Sequence, residues 1–251
     1  MNDSVAIIIH GYTLLAKDKR KNFGQRDWKH LVWGDSESQM LGRLTKGILL
    51  ALKHHAKLLV FGTGSSCMLE GNPITHKSWV SFGEPMNIVW ESEFIYNYMI
   101  KHFNDLNNFE EIKKVVSAFG GEEKAKEYIK KIAIKDIKSR NTYEEVHNAL
   151  MLCNNKNIKT LISVSNLSHL PRCVAIALKE IKNKSYENYF LPSPCDTDFS
   201  STCEVLIFEP QSGPGPEQSL HPCNIFKEYF YLSNELKYKF LIKCKKFLDT
   251  N

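Results

Sequence analysis

Val5-Ala6-Ile7-Ile8-Ile9 is an unbroken apolar run that stops at His10-Gly11. A strand with one wet face alternates apolar and polar residues, whereas a strand apolar at every position is buried on both faces. Helices must then cover the sheet on each side, which excludes most all-β architectures. Similar runs recur at residues 58–61 (LLVF) and 160–166 (TLISVSN), with shorter candidates at 132–137 (IAIKDI) and 203–209 (CEVLIFE). Helical patterns lie between them. One covers about residues 36–54, with Met40, Leu41, Leu44, Ile48, Leu49 and Leu52 on one side; another covers 91–103. A charged helical stretch at about 104–131, broken at Gly120-Gly121, reads as an inserted pair that covers a site or extends the sheet edge. Helices follow at 142–150 and after Pro171, and a helical extension at about 224–250 closes the chain. Strands alternating with helices predict an α/β fold with a mostly parallel sheet and helices on both faces. The whole chain, 1–251, is expected to be one domain.

Charge and cysteine content narrow the classes of partner. Lys and Arg number 33 against 28 Asp and Glu, and the net charge of +5 is spread through Lys-rich helices without a long basic run. That argues for a solvated surface rather than a nucleic-acid footprint. Seven cysteines cannot all pair within one chain, and none forms a CxxC unit, so reduced thiols and a cytoplasmic location are expected. No apolar run approaches the roughly 20 residues of a spanning helix, so no membrane partner is expected. A monomer or small homo-oligomer is anticipated.

In an open parallel sheet, ligands bind beyond the carboxyl ends of the strands. The polar loops after the strands are therefore the candidate site. His10-Gly11 ends the first strand; Gly62-Thr63-Gly64 follows the second and would let an anion approach its backbone. Ser139-Arg140-Asn141-Thr142 enters a helix, where hydroxyl and amide oxygens cap free N–H groups or line an anion site. Thr142-Tyr143-Glu144-Glu145 reads as a capping box, with Glu145 reaching back. Ser165, His169 and Arg172 surround the start of the next helix, and there Arg offers a planar donor fork and His a proton carrier. Arg43 lies in the first long helix, and Glu91 and Glu93 open the second. No metal-ligand spacing, P-loop, dinucleotide fingerprint or Gly-x-Ser-x-Gly elbow is present.

Ser139-x-Asn141-Thr142-x-Glu144, followed by a strand and Ser165-x-x-x-His169-x-x-Arg172, resembles the signature of the YdcF/SanA/ElyC-like domain. Arg43, Gly62, Gly64 and Glu93 stand where that family has an Arg, a glycine turn and an acidic helix start. The likeness runs from about residue 4 to 208. It departs at Glu145, where the family has Asn, and at Val164-Ser165-Asn166, where it has Thr-Ser. The resemblance implies a Rossmann-like three-layer sandwich with a polar pocket at the carboxyl edge of its sheet. Some members are similar to proteins that bind S-adenosylmethionine.

These readings lead to an enzyme for a small anionic or nucleotide-like ligand, acting by group transfer or phosphate-ester hydrolysis. His169, Glu93 and Glu144 are the expected acid–base groups. His10, Gly11, Arg43, Gly62, Thr63, Gly64, Ser139, Asn141, Thr142, Ser165 and Arg172 are the expected binding residues. The alternative is a module that binds S-adenosylmethionine or a nucleotide without chemistry.

Overall fold

The computed structural model describes residues 4–11, 32–62, 66–69, 72–75, 88–139, 141–166 and 169–197. Its centre is the run that opens the sequence. Val5–Ile9 (β1) pairs in parallel with Leu58–Phe61 (β4) on one side and Thr160–Ser165 (β9) on the other. Ala133–Lys135 (β8) adds beyond β4, and Tyr189–Pro194 (β10) adds beyond β9. The five strands run β10-β9-β1-β4-β8, all parallel.

Alternation along each strand sends side chains to two separate cores. Ile7, Ile9, Leu59, Phe61, Ile162 and Val164 face one side and pack on Arg43–Lys53 (α1), Glu91–Lys101 (α2), Glu110–Ala118 (α3) and Glu122–Ile132 (α4). Ala6, Ile8, Leu58, Val60 and Leu161 face the other and pack on Thr142–Asn155 (α5) and Leu170–Lys184 (α6). This is a Rossmann-like three-layer sandwich. Gly47 brings α1 onto β1 so closely that an added Cβ would lie 2.4 Å from the Ile9 side chain.

Several features differ from the pattern reading. The helix expected over residues 36–54 starts only at Arg43, with Gly42 as its N-cap. Before it, Gly34–Asp35 (β2) and Met40–Leu41 (β3) form a small antiparallel ladder across a turn. The Asp35 carboxylate holds that turn, accepting the Glu37 N–H at 3.0 Å and the Ser38 hydroxyl at 2.6 Å, and Gln39 adopts φ 58. Local side-chain bonding of this kind competes successfully with helix. The capping box is displaced by one residue: Asn141 caps α5, accepting the Glu144 N–H at 2.9 Å, while Glu145 turns inward. The charged stretch, with a 3-10 turn over Phe103–Asn108, supplies core through Ile112, Val116, Ala125 and Ile129, packed with α1 on one face of the sheet.

Strand β10 was not anticipated, because its two prolines argue against a strand. Among the described residues it is the outermost strand and hydrogen-bonds to β9 along one side, where proline is tolerated. A second sheet of Ser66–Leu69 (β5), Asn72–Thr75 (β6) and Ile88–Trp90 (β7) was also unforeseen. The expected strand at 203–209 and the helices at 224–250 lie outside the described residues.

Candidate functional site at the sheet switch point

From β1 the chain moves outward through β4 to β8, then returns across the opposite face to β9 and β10. The direction reverses between β1 and β9, and the connections leaving these strands go to opposite faces. Such a switch point opens a crevice at the carboxyl ends. Here those ends carry His10-Gly11 and Ser165-Asn166, and α6 begins there with His169 as its N-cap and Pro171 in its first turn.

Two polar networks meet at this point. In the first, His10 is almost fully buried and its Nδ1 lies 2.7 Å from Glu145 Oε2, while Nε2 lies 2.9 Å from Ser163 Oγ. Burial by itself would drive the imidazolium towards neutrality. The sulfur of Cys173 and the carboxylate of Glu145 outweigh it and raise the His10 pKa from 6.5 to about 10. His10 is therefore a cation that donates from both nitrogens. The Ser163–His10–Glu145 line matches a Ser–His–Glu triad in distance, but a charged ring has no lone pair with which to take the serine proton. Gly62 completes the setting: an added Cβ there would lie 3.0 Å from Glu145 Oε1 and from the Ile9 carbonyl oxygen. Its glycine is explained by packing against that carboxylate.

In the second network, His169 Nδ1 lies 2.7 Å from Ser165 Oγ, and Nε2 lies 3.0 Å from Thr142 Oγ1 and 2.9 Å from Arg172 Nη2. A guanidinium can only donate, so Nε2 is the acceptor and the ring proton sits on Nδ1, donated to Ser165. Arg172 Nη2 also donates to Thr142 Oγ1. The two imidazoles meet edge to face with centroids 5.2 Å apart. Arg43, completely buried at the start of α1, ties the crevice together: Nε donates to Asn166 Oδ1 and Nη1 to the Gly11 and His10 carbonyl oxygens. Asn166 in turn donates to the Thr197 carbonyl at 3.3 Å.

Most of the residues expected at the site converge here: His10, Gly11, Arg43, Gly62, Thr142, Ser165, His169 and Arg172, while Asn141 stands next to Thr142 as the cap of α5. Ser139 is buried nearby in the turn after β8, where its hydroxyl donates to Asp136 and accepts from Asn148 at 2.9 Å, so its described role is to hold that turn. Thr63 and Gly64 lie outside the described residues. Glu93 makes a half-exposed ion pair with Lys135 at 3.5 Å, and Glu144 is engaged with the Asn141 cap. Neither is among the described partners of His169. The acidic group of the cluster is Glu145, four residues' worth of helix face away from Ala149 on the buried stripe of α5.

Ser163 and Cys173 are not singled out by the sequence reading, Glu145 enters it only as a capping residue, and Asn166 only as a departure from the family motif. A signal existed for two of them. Glu145 shares the periodicity of Thr142, Val146, Ala149 and Cys153, the buried face of α5, where a carboxylate needs a partner. Ser163 interrupts an otherwise apolar stretch of β9.

His10, His169 and Cys173 also bring potential ligand atoms within 4.8 Å of one another. Two imidazoles and a thiol would suit zinc. In this arrangement, however, each ring nitrogen is already directed at a protein partner, so the residues as placed do not fit a metal ion. No protein-family model, curated protein or solved structure matches the chain. Fold and site together define a doubly wound α/β domain with a buried, cation-rich polar cluster at its switch point.

Proposed function

We propose that the chain is an enzyme that binds a small anionic or nucleotide-like ligand at the β1/β9 switch point, by group transfer or phosphate-ester hydrolysis. The observation that carries the reading is the gathering of Arg43, Arg172, charged His10 and the proton-carrying His169 at the one edge where such sheets bind ligands. His169 is the proton carrier at Nε2, beside the Thr142 hydroxyl, and takes a proton there once Arg172 Nη2 has left that nitrogen. Glu145 and Arg43 are positioning residues, since they act through His10 and through the Gly11 and Asn166 loops.

Membership of the YdcF/SanA/ElyC-like family is part of this proposal and rests on the two motifs that supply Asn141, Thr142, Ser165, His169 and Arg172. Buried free thiols at Cys153, Cys173 and Cys195 suit a reducing compartment such as the cytoplasm. Among the described residues no helix is long and apolar enough to cross a membrane. S-adenosylmethionine, the alternative ligand, would present its carboxylate to Arg172.

The test is binding and turnover of a panel of nucleotides, phosphosugars and simple phosphate esters by wild type and by His169→Ala. Turnover lost in the variant with binding changed only a few-fold supports the role of His169. Unchanged turnover removes it. A non-catalytic binding module, favoured by the deep burial of the cluster, is the conclusion if a ligand binds and no member of the panel is consumed.

A further inference from the structure

Arg172 is 7% exposed, yet only one end of its guanidinium is used by the described residues: Nη2 reaches Thr142 and His169, while the buried Nε has no hydrogen-bond partner. A buried donor left unmade is costly and rare, so it calls for a reason. Nη2 spends its two hydrogens on Thr142 and His169, so the Nε–H is the donor left to receive an oxygen of an oxyanion.

Resting on the anionic-ligand reading above, we infer that the Nε–H of Arg172 is the oxyanion seat of the site, taking one oxygen of a phosphate or carboxylate group. An oxyanion held there shares its guanidinium with the Thr142 hydroxyl and Nε2 of His169, the groups that Nη2 touches. The seat thus delivers the charged end of a ligand to the proton carrier. Charged His10, edge-on to His169, adds favourable potential for an anion. The seat lies in the first turn of α6, where the helix dipole acts in the same direction.

The experiment is titration of the purified chain with inorganic phosphate and, separately, with acetate, followed calorimetrically. It uses wild type, Arg172→Lys, which keeps the charge and loses the Nε donor, and Arg172→Gln. Circular dichroism confirms that each variant is folded. Saturable binding of at least one anion, weakened about tenfold or more in both variants, is the expected result. Preference for phosphate or for acetate identifies which oxyanion the seat takes. Wild-type binding that Arg172→Lys retains, or no saturable binding of either anion, overturns the seat and leaves Nε with a structural water. The panel above separates the two ideas. A panel ligand that binds Arg172→Lys as it binds wild type removes the seat but not the anionic-ligand reading.

Discussion

Replacing Glu145 by Gln keeps the shape of the side chain and removes one of the two groups that hold His10 charged. The raised His10 pKa, from 6.5 to about 10, corresponds to roughly 5 kcal/mol between protonation states at about 1.4 kcal/mol per unit. Cys173 supplies the larger upward pull and Glu145 the smaller, so a fraction of that figure depends on Glu145. The sign follows from linkage. A histidine whose folded pKa is raised contributes its full stability below the unfolded value near 6.5 and loses it as pH rises through the folded value. Wild type should therefore exceed Glu145→Gln at pH 6, and the gap should hold while His10 is charged in both proteins and close as pH rises towards about 10. The groups facing His10 are Glu145 from α5, Cys173 and His169 from α6, and Ser163 from β9. Taking the difference between wild type and variant cancels titrations that the two share. Urea unfolding at pH 6, 8, 9 and 10, with midpoints compared at constant slope, measures the gap directly. A gap that stays constant across this range, or widens with pH, would refute the charged His10–Glu145 pair.

Three further outcomes are expected. Arg43→Met leaves the Gly11 carbonyl and Asn166 side chain without their buried donor, and should cost about 2–4 kcal/mol in urea unfolding, with Arg43→Lys recovering little of it. Asn141→Ala removes the cap of α5 and should cost about 1 kcal/mol by thermal unfolding, whereas Asn141→Ser should be nearly neutral. Burial favours the protonated form of Glu180, but hydrogen bonds from His147 at 2.7 Å and Tyr143 at 2.8 Å outweigh it and lower its pKa. Its contribution is present above the unfolded carboxyl value and lost as pH falls through the folded one. Glu180→Gln should therefore be destabilising at pH 7, and the difference should shrink towards pH 3 in the same unfolding assay.

Much of the fold was legible because burial on both faces leaves a direct trace. Val5–Ile9 and Leu58–Phe61 are apolar at every position, and only a strand covered by helices on each side tolerates that. The site was partly legible because polar residues after such strands must lie at one edge. Pairings were not legible. Glu145 has local sequence neighbours that make it look like a capping residue, and its partner His10 is 135 positions away, brought in by the crossing from β8 to β9. The turn at Ser36–Gln39 was missed for the opposite reason. Met40 and Leu41 fit the helical stripe of α1, and periodicity has no term for the Asp35 side chain that diverts the backbone. Strand β10 shows how position overrides propensity, since Pro192 and Pro194 are acceptable only along an outer strand.

The central claim is that ligand binds where β1 and β9 diverge, against His10, Thr142, His169 and Arg172. Amide hydrogen exchange with and without the panel compound that binds tests this most directly. The account predicts slowed exchange at residues 10–11, 141–145 and 165–173, with α3 and α4 unchanged. Protection confined to other parts of the chain, with these three stretches unaffected, would contradict it.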